Sequence, residues 1–347
     1  MLLTLLALSL PFPSHASDWR GVTPDHHAHG KITTPIDPVY KGVFDEVSQQ
    51  RITDVLKQLT GYAPVTVAGQ TYSLTERYTP AGKAHFRAFW EQYFTALGIP
   101  ATELNFATTH GQEPNGHNVE AVLPGKSKDS LVIIVHYDSM GPRGRETSNP
   151  AVDDDMTGMA TSLETARILA GHKGQLQNTV RFVAADLEEV GGLEGARNYV
   201  AYLKALSQKE GFKIIAAIDN EQSGWNCAAE DGCGFGIKTA AANPVDIFSC
   251  SGDGTGFNNP ALGDALEAVA TSYAGIPVKR GCIGENSDHY AMWEIGVPAV
   301  VFSEHDPFDN PHFDSAGGDT LDKIDQNYFF GIARMGITFA ATVAGLK

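Results

Sequence analysis

Hydrophobic residues in the first third of the chain recur at helical spacing. Val43, Val47, Ile52, Val55 and Leu56 form one such series and Phe86, Phe89, Trp90, Phe94 and Leu97 another, which predicts a largely helical region from Pro38 to Leu97. The pattern then changes. Asn118–Leu123 has strand character and ends at the turn Pro124-Gly125. Leu131–Val135 is a continuous apolar run of strand length, the mark of a strand buried on both faces. A helix over Gly158–Ala170, a second buried strand over Thr179–Ala185, a helix over Gly192–Leu206 and a third strand over Lys213–Ile218 follow. Glu221–Asn259, rich in Gly, Asn and Cys, departs from regular alternation. Beyond it lie a helix over Leu262–Tyr273, a fourth strand over Pro298–Phe302 and a closing helix over Ile324–Val343. Strands alternating with helices predict an α/β fold of three α/β/α layers, with a mixed, mostly parallel central sheet. No linker or internal repeat interrupts residues 38–347, so one domain is the simplest organisation.

The N-terminal residues add a compartment. An apolar run, Leu2–Leu10, is followed by Pro11, Pro13 and the small-residue site Ser14-His15-Ala16, the form of a signal peptide over residues 1–16, although no Lys or Arg precedes it. The run is too short to span a bilayer, and no other window is long and apolar enough. A secreted or periplasmic protein is therefore expected. Residues 17–37 are polar, contain His26, His27 and His29, and are expected to form a flexible segment. The formal charge of −16 argues against nucleic acid or an anionic membrane surface as a partner. Four cysteines, Cys227, Cys233, Cys250 and Cys282, form an even set that favours disulfides in an exported chain. Cys227 and Cys233 flank a short loop and would pair locally, leaving Cys250 with Cys282; this is a preference among three connectivities. None of the four has the paired spacing of a structural zinc site.

In open α/β sheets, sites form outside the carboxyl ends of the strands. Here the first buried strand runs into His136-Tyr137-Asp138-Ser139 and the second is soon followed by Glu188-Glu189. The third runs into Asp219, and the fourth into Glu304-His305-Asp306 with His312 beyond. Asp153-Asp154-Asp155 lies between the first strand and its helix. Singly, each has an ordinary alternative: a polar loop, a helix cap with acidic first-turn residues, a solvated helix start. Together, at successive strand ends, they suit metal-assisted hydrolysis. Imidazole and carboxylate are the ligands of a catalytic zinc, two metals need a shared carboxylate, and a further carboxylate is required as general base.

The segments VIIVHYDSMG, AVDDDMTGMA, AADLEEVGGLEGAR, IIAAIDNE, NSDHYAMWEIGVPAVVF and GGDTLDKID resemble the co-catalytic zinc exopeptidases, which include bacterial leucyl aminopeptidases, glutamate carboxypeptidases and glutaminyl cyclases. The resemblance covers the chain from about residue 45 onward and implies the zinc-exopeptidase fold with two Zn2+ per chain. Carried over residue by residue, His136 and Asp219 would bind one zinc, Asp154 would bridge, and Glu189 would bind the other. Asp138 would orient the His136 ring through its second nitrogen, and Glu188 would be the general base. Ser287-Asp288-His289 would support the site without ligating. The final ligand departs from the family pattern: the histidine usual four residues before Asp-Thr would fall on Ser315. His312 is the expected ligand, with His305 and Asp314 as alternatives.

The resemblance implies an aminopeptidase acting on peptide or protein N-termini, and a monomer is expected. The alternatives are a single-zinc glutaminyl cyclase and a binding module on the same fold. A carboxypeptidase would need cations for the substrate's carboxylate, and only Arg143 and Arg145 lie near the motifs. Trp225, Phe235, Phe248 and Phe257 are candidates for an apolar pocket wall. Ser251–Gly256 is taken as a turn.

Overall fold

In the computed structural model the described residues are 23–24, 32–141, 148–227, 243–312 and 318–347. The signal-peptide segment, Arg143, Arg145, Cys233, Phe235, Asp314 and Ser315 lie outside them.

The elements follow in the order β1 (Thr23–Pro24), α1 (Pro38–Glu46), α2 (Gln49–Leu59), β2 (Val65–Val67), β3 (Gln70–Tyr72), α3 (Pro80–Ala96), β4 (Ala101–Ala107), β5 (Asn115–Leu123) and β6 (Ser127–His136). Then come α4 (Met156–Gly171), β7 (Asn178–Ala185), α5 (Glu188–Gly191), α6 (Glu194–Glu210), β8 (Ile214–Asn220) and β9 (Val245–Ser251). The chain closes with α7 (Pro260–Val269), β10 (Val278–Ile283), α8 (His289–Glu294), β11 (Ala299–Ser303) and α9 (Gln326–Val343). β2 and β3 form a small hairpin inside the region predicted as largely helical. β9 lies within the stretch predicted to be irregular; β4 and β10 were not foreseen.

Among the described residues one nine-stranded sheet has the order β1-β10-β9-β11-β8-β6-β7-β5-β4. The four central strands, β11, β8, β6 and β7, are mutually parallel. Antiparallel pairs flank them, β9 on β11 and β5 on β7. The period of two along a strand divides the core. Leu131, Ile133 and Val135 of β6 join the cluster under α1, α2, α4 and α9, while Val132 and Ile134 join the cluster under α6 and α8. Both faces of the central strands are therefore covered, which is the three-layer α/β/α fold, with a mixed sheet whose parallel character resides at its centre.

Cys250 and Cys282 sit opposite each other on β9 and β10 and form a disulfide with Cα atoms 4.6 Å apart. Closing its 32-residue separation is worth about 3–4 kcal/mol in chain entropy. Within the segment expected to be flexible, β1 pairs with β10, and residues 32–37 lie along the end of α7, with Ile32 N donating to Glu267 Oε1 and Asp37 N to the Tyr273 hydroxyl. No described helix is long and apolar enough to cross a membrane.

Gly158 sits where the first turn of α4 crosses the end of β8. A Cβ there would lie 2.0 Å from the Asn220 carbonyl oxygen. Both sides of this contact are backbone, so neither can swing away. Gly158→Ala should lower the unfolding free energy by about 1–3 kcal/mol, measured as a drop in the urea midpoint at constant slope. An unchanged midpoint would show that α4 and β8 can separate without cost.

Candidate metal and catalytic centre

β6 ends on His136, whose ring is fully buried. Its Nε2 lies 3.0 Å from Asp154 Oδ1 and 3.4 Å from Glu221 Oε1. These three residues can place one ligand atom each within 4.8 Å of one another. Asp154 belongs to the loop before α4, in which Asp155 caps that helix by accepting from Gly158 N. The Asp154–Asp155 peptide bond is cis. The loop is fixed from behind by Asp319, whose two oxygens accept from the backbone N–H groups of Asp153 and Asp154. Gln222 Nε2 donates to Asp154 Oδ2, and Ser287 Oγ donates to Glu221 Oε2.

Asp219 was expected to share a metal with His136. It points elsewhere: its Oδ2 accepts from the backbone N and Nδ1 of His289, at 2.9 and 3.1 Å. The register explains the difference. Asp219 pairs with Ile134 on the neighbouring strand, so it is still two residues inside the sheet where His136 has reached the edge. Glu221, two residues on, comes level with His136 on the same face. Glu221 was the residue the sequence missed, and counting strand register from His136 was the signal that could have found it.

Asp138 is 3.6 Å from His136 Nδ1, in ion-pair range but longer than a hydrogen bond. Its oxygens accept instead from the backbone N–H groups of Glu188 and Glu189, at 3.1 and 3.2 Å. It thus sets the turn that presents both glutamates. Leu187, at φ +60°, starts that turn, and Asp186 steadies it by accepting from Leu187 N and from Lys83.

His312 is described, but its ring joins neither group of clustered ligand atoms; its backbone N–H donates to Asn310 Oδ1. His305 belongs to a separate network with Asp246 and Asp306, where the Lys279 ammonium already supplies the cation. Of the expected aromatic wall, Phe248 lines the cavity described below, Trp225 is buried with its backbone N–H donating to Glu304 Oε2, and Phe257 stacks on Trp293 at 4.8 Å.

A cavity of about 240 Å³ opens onto the centre. Asp154, Glu188, Glu189 and Glu221 line it together with the apolar residues Val190, Leu193, Phe248, Ile283, Val301 and Phe308. No lysine or arginine is among the described residues lining it. Burial, compounded by repulsion from Glu221, Asp288 and Asp154, pushes Glu188 well above the usual carboxylate range despite the opposing pull of His136. Burial and the repulsion of Asp154 do the same to Glu189. Burial would depress His136, but Glu221, Asp138 and Asp154 raise it well above its ordinary value. Acids crowded in this way must either hold protons or surround a cation. With an imidazole among the carboxylates, the donors suit a borderline divalent ion such as zinc, which would bind the ring in its neutral form.

A model of peptidase family M28 matches residues 118–340. Leucine aminopeptidase 1 of Coccidioides posadasii is 28% identical over 233 residues, which is 65% of this chain and 55% of that protein. The chain thus spans about half the length of such relatives. The Legionella pneumophila LapA aminopeptidase superposes with a TM-score of 0.66 at 18% identity, over 90% of this chain and 77% of that one. A Macrostomum lignano glutaminyl cyclase does so with 0.67 at 15% identity, over 93% and 98%. At such identities the superpositions show the shared fold.

Burial pushes Glu221 up to about 8, Asp154 and Asp219 adding to the rise while His136 opposes it. An unfolded glutamate titrates near pH 4.3. Between these values the folded state binds the extra proton, so stability falls as pH rises through that window. The raised His136 acts in the same direction. Chelator-treated protein should melt at a lower temperature at pH 8.5 than at pH 5.5, and saturating Zn2+ should abolish the difference. Equal melting temperatures without metal would show that the acids are not crowded in solution.

Proposed function

Because the chain belongs to peptidase family M28, we propose that it is a zinc-dependent aminopeptidase that removes apolar residues from peptide N-termini. The observation that carries this reading is a cavity lined by both acids and apolar residues, with no lysine or arginine among the described lining residues. A substrate's terminal ammonium fits the acids, and the side chain of its first residue fits Leu193, Phe248 and Val301. Among the described lining residues a terminal carboxylate would find no lysine or arginine to pair with.

In this proposal His136, Asp154 and Glu221 would hold one zinc, and Glu189 with Asp154 would help to hold a second. Bound there, zinc supplies Lewis acidity, making water a stronger acid and the scissile carbonyl a better electrophile. Glu188 takes the proton of the attacking water as the new C–O bond forms. It returns that proton to the departing amine as the C–N bond breaks. Asp138 keeps Glu188 at this station through the backbone N–H it accepts. Gln222 and Ser287 donate to Asp154 Oδ2 and Glu221 Oε2, which orients the two carboxylates beside His136 where they would receive the metal. The Cys250–Cys282 disulfide supports work in an oxidising compartment, as expected for an exported enzyme.

Aminoacyl anilides test the proposal. Leucyl and methionyl substrates should be cleaved and their N-acetylated forms should not. Glu188→Gln should keep its zinc by elemental analysis and lose about 10²–10⁴-fold in kcat. Loss of zinc in that variant would make Glu188 a ligand instead. Cyclisation of N-terminal glutamine without anilide cleavage would favour a glutaminyl cyclase, and absence of both zinc and turnover a binding module.

A further inference from the structure

Arg77 precedes α3 and is completely buried, yet no carboxylate oxygen among the described residues lies within ion-pair distance of its guanidinium. Its bonded partners are backbone carbonyls. Nε donates to Tyr137 O at 2.8 Å, Nη1 to Leu59 O at 3.2 Å, and Nη2 to Pro150 O at 2.7 Å and Ala151 O at 3.4 Å. Its backbone is tied to the same region, with N donating to Ser139 Oγ at 3.0 Å and O accepting from Ser139 N at 3.4 Å.

A buried cation without a bonded counter-charge is expensive to desolvate. Here the cost is offset by the four carbonyls and, at longer range, by Asp319, Glu76, Asp138 and Glu189. The placement of the carbonyls gives the arrangement a purpose. Tyr137 stands between His136 and Asp138 in the loop after β6. Pro150 and Ala151 immediately precede Val152 and the Asp153-Asp154-Asp155 run, and Ala151 is held at φ +43°. One planar fork therefore spans the two loops whose imidazole and carboxylate must meet.

We propose that Arg77 is a positioning residue for the metal centre: by joining the carbonyls of Tyr137, Pro150 and Ala151, it holds His136 and Asp154 at the separation that one divalent cation requires. The proposal rests on the metal-dependent reading of the site. Lysine in its place would keep the charge but lose the fork, because an ammonium presents a compact point of charge where arginine spans several acceptors. Arg77→Lys separates geometry from charge on that basis.

The test is Co2+ binding to the full chain, followed by absorption spectroscopy and chelator competition. Wild type should bind Co2+. Arg77→Lys should bind it about 10–100-fold more weakly, with shifted absorption bands, and should show a lower kcat at saturating metal with KM little changed. A merely structural arginine would lower the melting temperature without moving the affinity or the bands of the folded protein. Wild-type affinity and spectrum in Arg77→Lys would overturn the proposal alone, whereas failure of wild type to bind Co2+ or Zn2+ would overturn the metal reading with it. Should Arg77→Lys fail to fold, Ser139→Ala removes only the acceptor of the Arg77 N–H. It should weaken Co2+ binding several-fold, and unchanged affinity there would equally overturn the proposal.

Discussion

The mutual repulsion of Asp154, Glu188, Glu189 and Glu221, brought together where water is scarce, is the constraint around which the carboxyl edge of the sheet is built. Like charges at such separations, once removed from bulk solvent, cost several kcal/mol unless something neutralises them. The surrounding protein does little to neutralise them. Asp319 and Asp138 accept backbone N–H groups from the acidic loops, and Gln222 and Ser287 donate neutral hydrogen bonds to Asp154 and Glu221. These contacts fix where the carboxylates are and leave their charge largely uncompensated. The buried guanidinium of Arg77 bonds carbonyls instead of the acids. Position is supplied by the chain and neutralisation is left to a ligand, the arrangement expected of a centre that takes a divalent cation.

Much of this edge was legible because fully buried parallel strands write themselves as short apolar runs, and their carboxyl ends are where polar chemistry can surface. Leu131–Val135 leads to His136, and the run ending at Ala185 leads to Glu188 and Glu189. What pattern alone did not resolve was depth. Asp219 and Glu221 are both acidic, both follow the same apolar run and face the same side. Only pairing with β6 shows that Asp219 is level with Ile134 and that Glu221 reaches the edge beside His136. Sequence order gives the face of a strand residue, but its height depends on a neighbour distant in the chain.

The strands that went unrecognised share a cause. β9 and β10 lie outside the parallel centre, and β9 sits in a stretch where glycine, asparagine and cysteine mask the apolar alternation. β4 has an exposed face and alternates half-buried with exposed positions, a weaker signal than a continuous apolar run. The final ligand is a different case. His305 looked available from its position after β11, yet Asp246, brought in by β9, and Lys279, brought in by β10, claim it for a separate ionic network. A histidine's availability depends on partners supplied by elements whose placement the local sequence does not reveal.

The excess of acids also bears on which end of a peptide the cavity can receive. In a free N-terminal residue the ammonium nitrogen and the scissile carbonyl carbon are joined through one Cα and so lie only about 2.5 Å apart. Whatever activates that carbonyl must tolerate a positive charge almost in contact with it. A centre that met its cation with a minimal set of ligands would repel the ammonium. The described residues lining the cavity include five acids, Asp154, Glu188, Glu189, Glu221 and Glu285, and the imidazole of His289. With two zinc ions bound as proposed, the charges of Asp154, Glu188, Glu189 and Glu221 would be balanced, and Glu285 would be the carboxylate left to face the ammonium. In the proposed aminopeptidase, Leu193, Phe248 and Val301 would take the first side chain and the acids its ammonium, so orientation would follow from charge and hydrophobic burial together.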